Sequence, residues 1–243
     1  MPTLVIALGL SLLGGLGGLL AAASVLLFSE STRKTLVPWL VSYAVGAMLG
    51  ASLLAILPAA LQTLPPVRAF ATLLGGILLF FMLEKLVLWR HCHTHDCEVH
   101  DSAAPLVLIG DTFHNFVDGA MIGAAVMTSL PLGVTTAIAV AAHEIPQEVG
   151  DFAILLRAGY SRKRALLLNA LSGLAATVGA LFAVLALDVL PSLLPYSLAL
   201  AASSLLYVAM ADLIPGLHRS PRDGGSFRQI VLVGLGIATT LLV

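Results

Sequence analysis

The sequence predicts an all-α, polytopic integral membrane protein with about eight transmembrane helices, and three observations predict it. Of 243 residues, 59% are hydrophobic and 10% are charged, against roughly 25% charged in soluble domains. The mean hydropathy is +1.02, too high for a chain of this length to keep a water-facing surface. Apolar runs of the ~20 residues needed to cross a hydrocarbon layer recur along the whole chain between clusters of charge, Pro and Gly. This composition excludes a soluble enzyme. A net charge of -1 and the near-absence of basic runs argue against a nucleic-acid partner, which needs a Lys/Arg face. There is no phosphate-cradling G-x-x-x-x-G-K-[ST] loop.

Reading spans as uncharged runs places helices 1 to 8 at 4–28, 36–61, 67–89, 105–128, 132–157, 165–187, 195–217 and 227–243. The chain is then one transmembrane domain, 1–243, with helices 1–3 in 4–89, a loop at 90–104 and helices 4–8 in 105–243. The first span is too long, and lacks the basic flank, for a cleaved signal peptide. Within helices 1 and 2, Gly14 with Gly18 and Gly46 with Gly50 are small-x-x-x-small pairs, which bring helices close in lipid.

Orientation follows from the basic residues. With both termini outside, Arg33, Lys34, Lys85, Arg90, Arg157, Arg162, Lys163, Arg164, Arg219, Arg222 and Arg228 all fall on the inner side, and of the 12 basic residues only Arg68 falls outside. A missed helix would scatter them. The expected location is a bacterial inner membrane, with the lipid bilayer and a second copy of the chain (a homodimer) as partners besides any cargo.

Helices 4 and 5 break the apolar rule. Helix 4 carries Asp111, His114, Asn115 and Asp118 at i, i+3, i+4, i+7, one stripe along one face. Helix 5 carries His143, Glu144, Gln147, Glu148 and Asp151 on a slightly broader face. The short turn Ser129-Leu130-Pro131 makes the two helices antiparallel neighbours. Counted from that turn at ~1.5 Å per residue, His114 and Asp118 reach the same depth as His143, Glu144 and Gln147. Five carboxylates there, each costing roughly 2.5–3.5 kcal/mol to insert, call for a cation.

His and carboxylate donors with an amide oxygen, at i, i+4 spacing on each helix, suit a divalent metal held by His114, Asp118, His143 and Gln147. Mixed nitrogen and oxygen donors without thiolate favour zinc, iron(II), manganese or cadmium over copper(I). Pro146 removes a backbone hydrogen bond and frees the carbonyl of Ala142, a device common at ion sites in membrane helices.

These residues resemble a known family. His114-Asn115-Phe116-Val117-Asp118-Gly119 resembles the HNxxDG signature of helix 4 in the ZIP metal-ion transporters. His143-Glu144-Ile145-Pro146-Gln147-Glu148-Val149-Gly150-Asp151-Phe152-Ala153 resembles the HEXPHEXGDFA signature of helix 5 in one ZIP subfamily. The resemblance implies one metal ion on His114, Asp118, His143 and position 147, and an adjacent second one on Asn115, Asp118, Glu144 and position 147. It also makes Asp212, in Ala211-Asp212-Leu213-Ile214-Pro215, similar to an acidic position near the family's inner exit. The chain departs from the pattern in two places. Gln147 stands where the subfamily has histidine, and Ala51 and Ala55 stand where its helix 2 often has aspartate and histidine.

The inner loop concentrates His91, Cys92, His93, His95, Cys97 and His100, a tract able to capture released metal or sense its level. Two cysteines so close together are no disulfide framework. Taken together, these residues point to transport of a divalent cation, zinc first and Fe²⁺, Mn²⁺ or Cd²⁺ as alternatives, into the cytoplasm as substrate and with no catalytic cofactor. An intramembrane zinc protease would need a second histidine at position 147 to complete H-E-x-x-H. A metal sensor without flux would bind but not move the ion.

Overall fold

The computed structural model describes residues 2–89, 103–219 and 225–242. Among them are eight helices: α1 Pro2–Val25, α2 Glu30–Leu61, α3 Pro66–Trp89, α4 Ala103–Thr128, α5 Leu130–Arg157, α6 Arg162–Val189, α7 Pro191–His218 and α8 Gly225–Leu241. Five of them, α1, α2, α3, α6 and α7, are long and apolar enough to cross a membrane, and Ser226–Leu241 in α8 is a shorter apolar helix. The other two, α4 and α5, carry the polar stripes.

Local chemistry sets the boundaries. The Ser29 side chain accepts the amide of Thr32 at 3.3 Å, so α2 begins at Glu30, six residues before the start expected at 36. Between α4 and α5 the turn shrinks to Ser129, whose Oγ accepts the amide of Leu132 at 3.2 Å. Pro131 falls inside the first turn of α5, where its missing N–H costs nothing. Gly159, at φ 84°, closes the α5–α6 turn in a conformation that only glycine adopts freely.

Helix α5 runs unbroken through Pro146, whereas α2 and α7 each contain a π turn, Ala51–Ile56 and Val208–Leu213. Each π turn precedes a proline, Pro58 or Pro215, and includes the residue four positions before it, Leu54 or Ala211. A proline ring clashes with the carbonyl at that position, and a locally wider helix accommodates it.

Glycines sort the helices into two groups of four. A Cβ on Gly119 or Gly179 would strike the backbone of the facing helix in the α4–α6 pair, and one on Gly15 would lie 2.6 Å from the Gly173 carbonyl of α6. Likewise Gly46 and Gly236 bring α2 and α8 into backbone contact, and Gly76 brings α3 against Ser203 of α7. Among the described residues every such close approach lies within α1, α4, α5 and α6 or within α2, α3, α7 and α8. The most extensive helix contacts follow the same division, with α2 against α5 as the main bridge between groups.

Candidate metal centre

The two polar stripes meet at one level between α4 and α5. His114 Nε2 and His143 Nε2 are 3.1 Å apart. Asp118 Oδ2 lies 3.0 Å from His143 Nε2 and 3.6 Å from His114 Nε2. Glu144 Oε1 lies 3.7 Å and 3.8 Å from the same two nitrogens. A tetrahedral ion with bonds of ~2.0–2.2 Å needs ligand atoms about 3.3–3.6 Å apart. These four atoms span 3.0–3.8 Å along five of their six edges.

The surroundings complete the arrangement. His143 Nδ1 lies 3.0 Å from the carbonyl oxygen of Ala139; a carbonyl only accepts, so Nδ1 donates and a neutral ring turns the lone pair of Nε2 into the cluster. Asp118 and Glu144 are fully buried, and none of their four oxygens has a hydrogen-bond donor among the described residues. Buried carboxylates without donors are costly, and a cation among these four atoms would offset that cost. Helix α1 closes the back of the cluster. Gly18 is so close to Glu144 that a Cβ there would sit 2.9 Å from the Glu144 Cβ.

A second group adjoins the first. One oxygen from each of Asp111, Glu144 and Glu148 lies within 4.8 Å of the others, so Glu144 belongs to both groups. Asn115 donates its amide to Asp111 Oδ1 at 3.0 Å, which leaves its own Oδ1 without a partner among the described residues. Gln147 Nε2 donates to the same Asp111 oxygen at 3.5 Å. Both amides therefore orient Asp111. The second group offers oxygen alone, a harder donor set than the His-containing one.

The first group is reached from one side. His143, Asp118 and Glu144 are at most 1% exposed, whereas the side chain of His114 is 19% exposed. His114 borders a cavity of about 590 Å³ that is also lined by Asp111, Gln147, Asp151, Glu84 and Asp212. The cavity is bordered by the C-terminal part of α3, the N-terminal half of α4, the C-terminal half of α5 and the π turn of α7. On the opposite end a second cavity of about 430 Å³ lies between α2, α8 and the α4–α5 turn, lined by Gln62, Thr128, Ser129, Thr135 and Thr240.

All ten sequence-predicted residues of α4, α5 and α7 border the two groups or the first cavity. The tract His91, Cys92, His93, His95, Cys97 and His100 lies outside the described residues. Three features went unread in the sequence. Tyr207 of α7 donates its hydroxyl to Glu84 of α3 at the cavity wall. In α6, Asn169 is fully buried beside Glu148, and Ser172 Oγ is 3.0 Å from Thr112 Oγ1. Isolated polar residues in long apolar helices give no periodic signal; the one cue available was the amide of Asn169, costly to bury within an apolar run.

Fold and site together define a multi-pass membrane protein whose buried His/Asp/Glu cluster fits an intramembrane metal site. The model of the ZIP zinc transporter family matches residues 90–243, and the chain belongs to that family. Its curated relatives include zinc transporter ZIP4 of Mus musculus, 47% identical over 132 residues, or 54% of this chain and 20% of the relative. Zinc transporter foi of Drosophila melanogaster is 36% identical over 147 residues, or 60% of this chain and 21% of the relative. Zinc transporter ZIP6 of Homo sapiens is 41% identical over 124 residues, or 51% and 16%. The aligned stretch thus spans about a fifth of the length of these relatives.

Proposed function

We propose that the protein carries divalent cations, zinc first, across the membrane into the cytoplasm through the cluster of His114, Asp118, His143 and Glu144. The single observation that carries this reading is the spacing of those four ligand atoms, close to the edges of a tetrahedral zinc site and buried within the bundle. The zinc transporter names of its relatives support zinc as the substrate; iron(II), manganese and cadmium fit the same donors less specifically.

The ion sheds water stepwise as imidazole and carboxylate replace its hydration shell. It then leaves past Asp111, Gln147 and Asp151 toward Glu84 and Asp212, and the cytoplasmic tract from His91 to His100 receives it. Asp111, Glu144 and Glu148 hold a second ion or act as the next stop, with Asn115 and Gln147 holding Asp111 in place. Motion of α4 and α5 alone against the other six helices would break the glycine contacts with α1 and α6. The unit that moves is therefore α1, α4, α5 and α6, sliding against α2, α3, α7 and α8. Both termini lie outside a bacterial inner membrane, the chain forms one transmembrane domain, and it pairs as a homodimer.

The test is zinc influx into sealed liposomes that hold a zinc-sensitive dye, beside His143→Ala. Fluorescence that rises only with the unaltered protein supports transport through the cluster. Binding without influx, at any imposed pH gradient or voltage, would reject it.

A further inference from the structure

We propose that the α5–α6 turn binds the headgroup of an anionic phospholipid. Four cations crowd this turn, Arg157 at the end of α5 and Arg162, Lys163 and Arg164 at the start of α6, and all four are exposed. None of them forms an ion pair among the described residues, although at the α1–α2 turn Lys34 is neutralised by Glu30 at 2.7 Å.

Placement makes the absence of a counter-charge costly. Arg162, Lys163 and Arg164 are the first three residues of α6, which has no acidic residue in its first turn. The N-terminal end of a helix carries partial positive charge, so cations there are disfavoured and an anion is favoured. Three cations added to that end create a strongly positive spot for which the described chain supplies no anion.

Two further features point to a lipid rather than a soluble anion. The guanidinium of Arg164 lies 4.7 Å from the ring centroid of Tyr160, an amphipathic side chain of the kind enriched at membrane interfaces. Immediately beyond the cations, Leu167 and Leu171 of α6 are 60% and 56% exposed, an apolar surface at the depth where acyl chains follow a headgroup. The turn itself is anchored, because the buried Phe152, Leu155 and Ala165 form a small core with Leu26 from the end of α1. The site therefore belongs to the four-helix group that carries the metal cluster. It rests on the membrane-spanning fold and not on cation transport.

Native mass spectrometry of the full chain in detergent, with equimolar phosphatidylglycerol and phosphatidylcholine, tests the assignment. The unaltered protein is expected to retain several-fold more phosphatidylglycerol. The triple variant Arg162→Gln/Lys163→Gln/Arg164→Gln is expected to retain the two lipids equally, and Arg162→Lys/Arg164→Lys to keep the preference. Soluble glycerol phosphate is expected not to displace the lipid. Equal retention by the unaltered protein, an unchanged preference in the triple variant, or displacement by glycerol phosphate would each overturn the proposal. Should the triple variant fold poorly, salt gives an independent reading on the unaltered protein. At about 1 M NaCl, where the screening length falls to ~3 Å, the preference is expected to vanish, and its persistence would overturn the proposal as well.

Discussion

His114 and His143 face each other from different helices with their Nε2 atoms 3.1 Å apart, while the far nitrogen of His143 is committed to the Ala139 carbonyl. Two imidazoles held this way share a cation readily and each other poorly. His143→Ala is expected to weaken zinc binding by at least roughly 10–100-fold, the range seen even for residues that only support ligands, and to abolish influx. Calorimetric zinc titration together with the liposome assay checks both, and His114→Ala should match it.

The backbone of α1 serves as a wall of the site. In Gly18→Ala the new methyl group would stand 2.9 Å from the Glu144 Cβ, an overpacking that costs about 1–3 kcal/mol. Thermal unfolding should drop and zinc affinity should fall with it. Gly17→Ala, where nothing lies within 4 Å, is expected to leave both unchanged.

Gln147 is a neutral donor to Asp111 in a cluster of carboxylates. Gln147→Glu adds a negative charge and removes that donor, so zinc should bind more tightly, by on the order of tenfold or 1.4 kcal/mol, and turn over more slowly. Stopped-flow influx with the bound-metal count measured in parallel separates the two effects. A transport rate equal to that of the unaltered protein in both Gln147→Glu and Gln147→His would reject a throughput role for the amide.

Glu84 and Asp212 line the cavity from α3 and α7, across from the cluster. Glu84→Gln and Asp212→Asn are expected to slow influx while leaving the number of zinc ions bound per chain unchanged, because neither residue belongs to a ligand group. Loss of bound zinc in either variant would make that residue a ligand.

Much of the site was readable because ionisable residues within apolar helices have few explanations. The stripes and the depth count brought His114, Asp118 and His143 together, but they put Gln147 as the fourth donor where the structure groups Glu144 with them and turns Gln147 toward Asp111. The hydrogen bonds of the amides were not readable. Spacing puts Asn115 and Gln147 on the correct faces but does not reveal that both donate to Asp111. The Gly14–Gly18 pair announced close contact but not that Gly18 would abut Glu144, since glycine carries no mark of what it touches. The π turns were not readable either: Pro146 sits within a continuous α5, while Pro58 and Pro215 follow the π turns of α2 and α7. A proline reports a missing hydrogen bond, and tertiary contacts decide which helix deforms to absorb it.

The two cavities of about 590 Å³ and 430 Å³ occupy opposite ends of one seam between the same two groups of helices. Of the four clustered ligand residues only His114 borders either cavity, so the proposed transport requires one half to shift against the other before the second chamber can meet the cluster. A rigid molecule wedged into the hydroxyl-lined chamber beside Thr135 and Thr240 would arrest the protein without touching a single metal ligand.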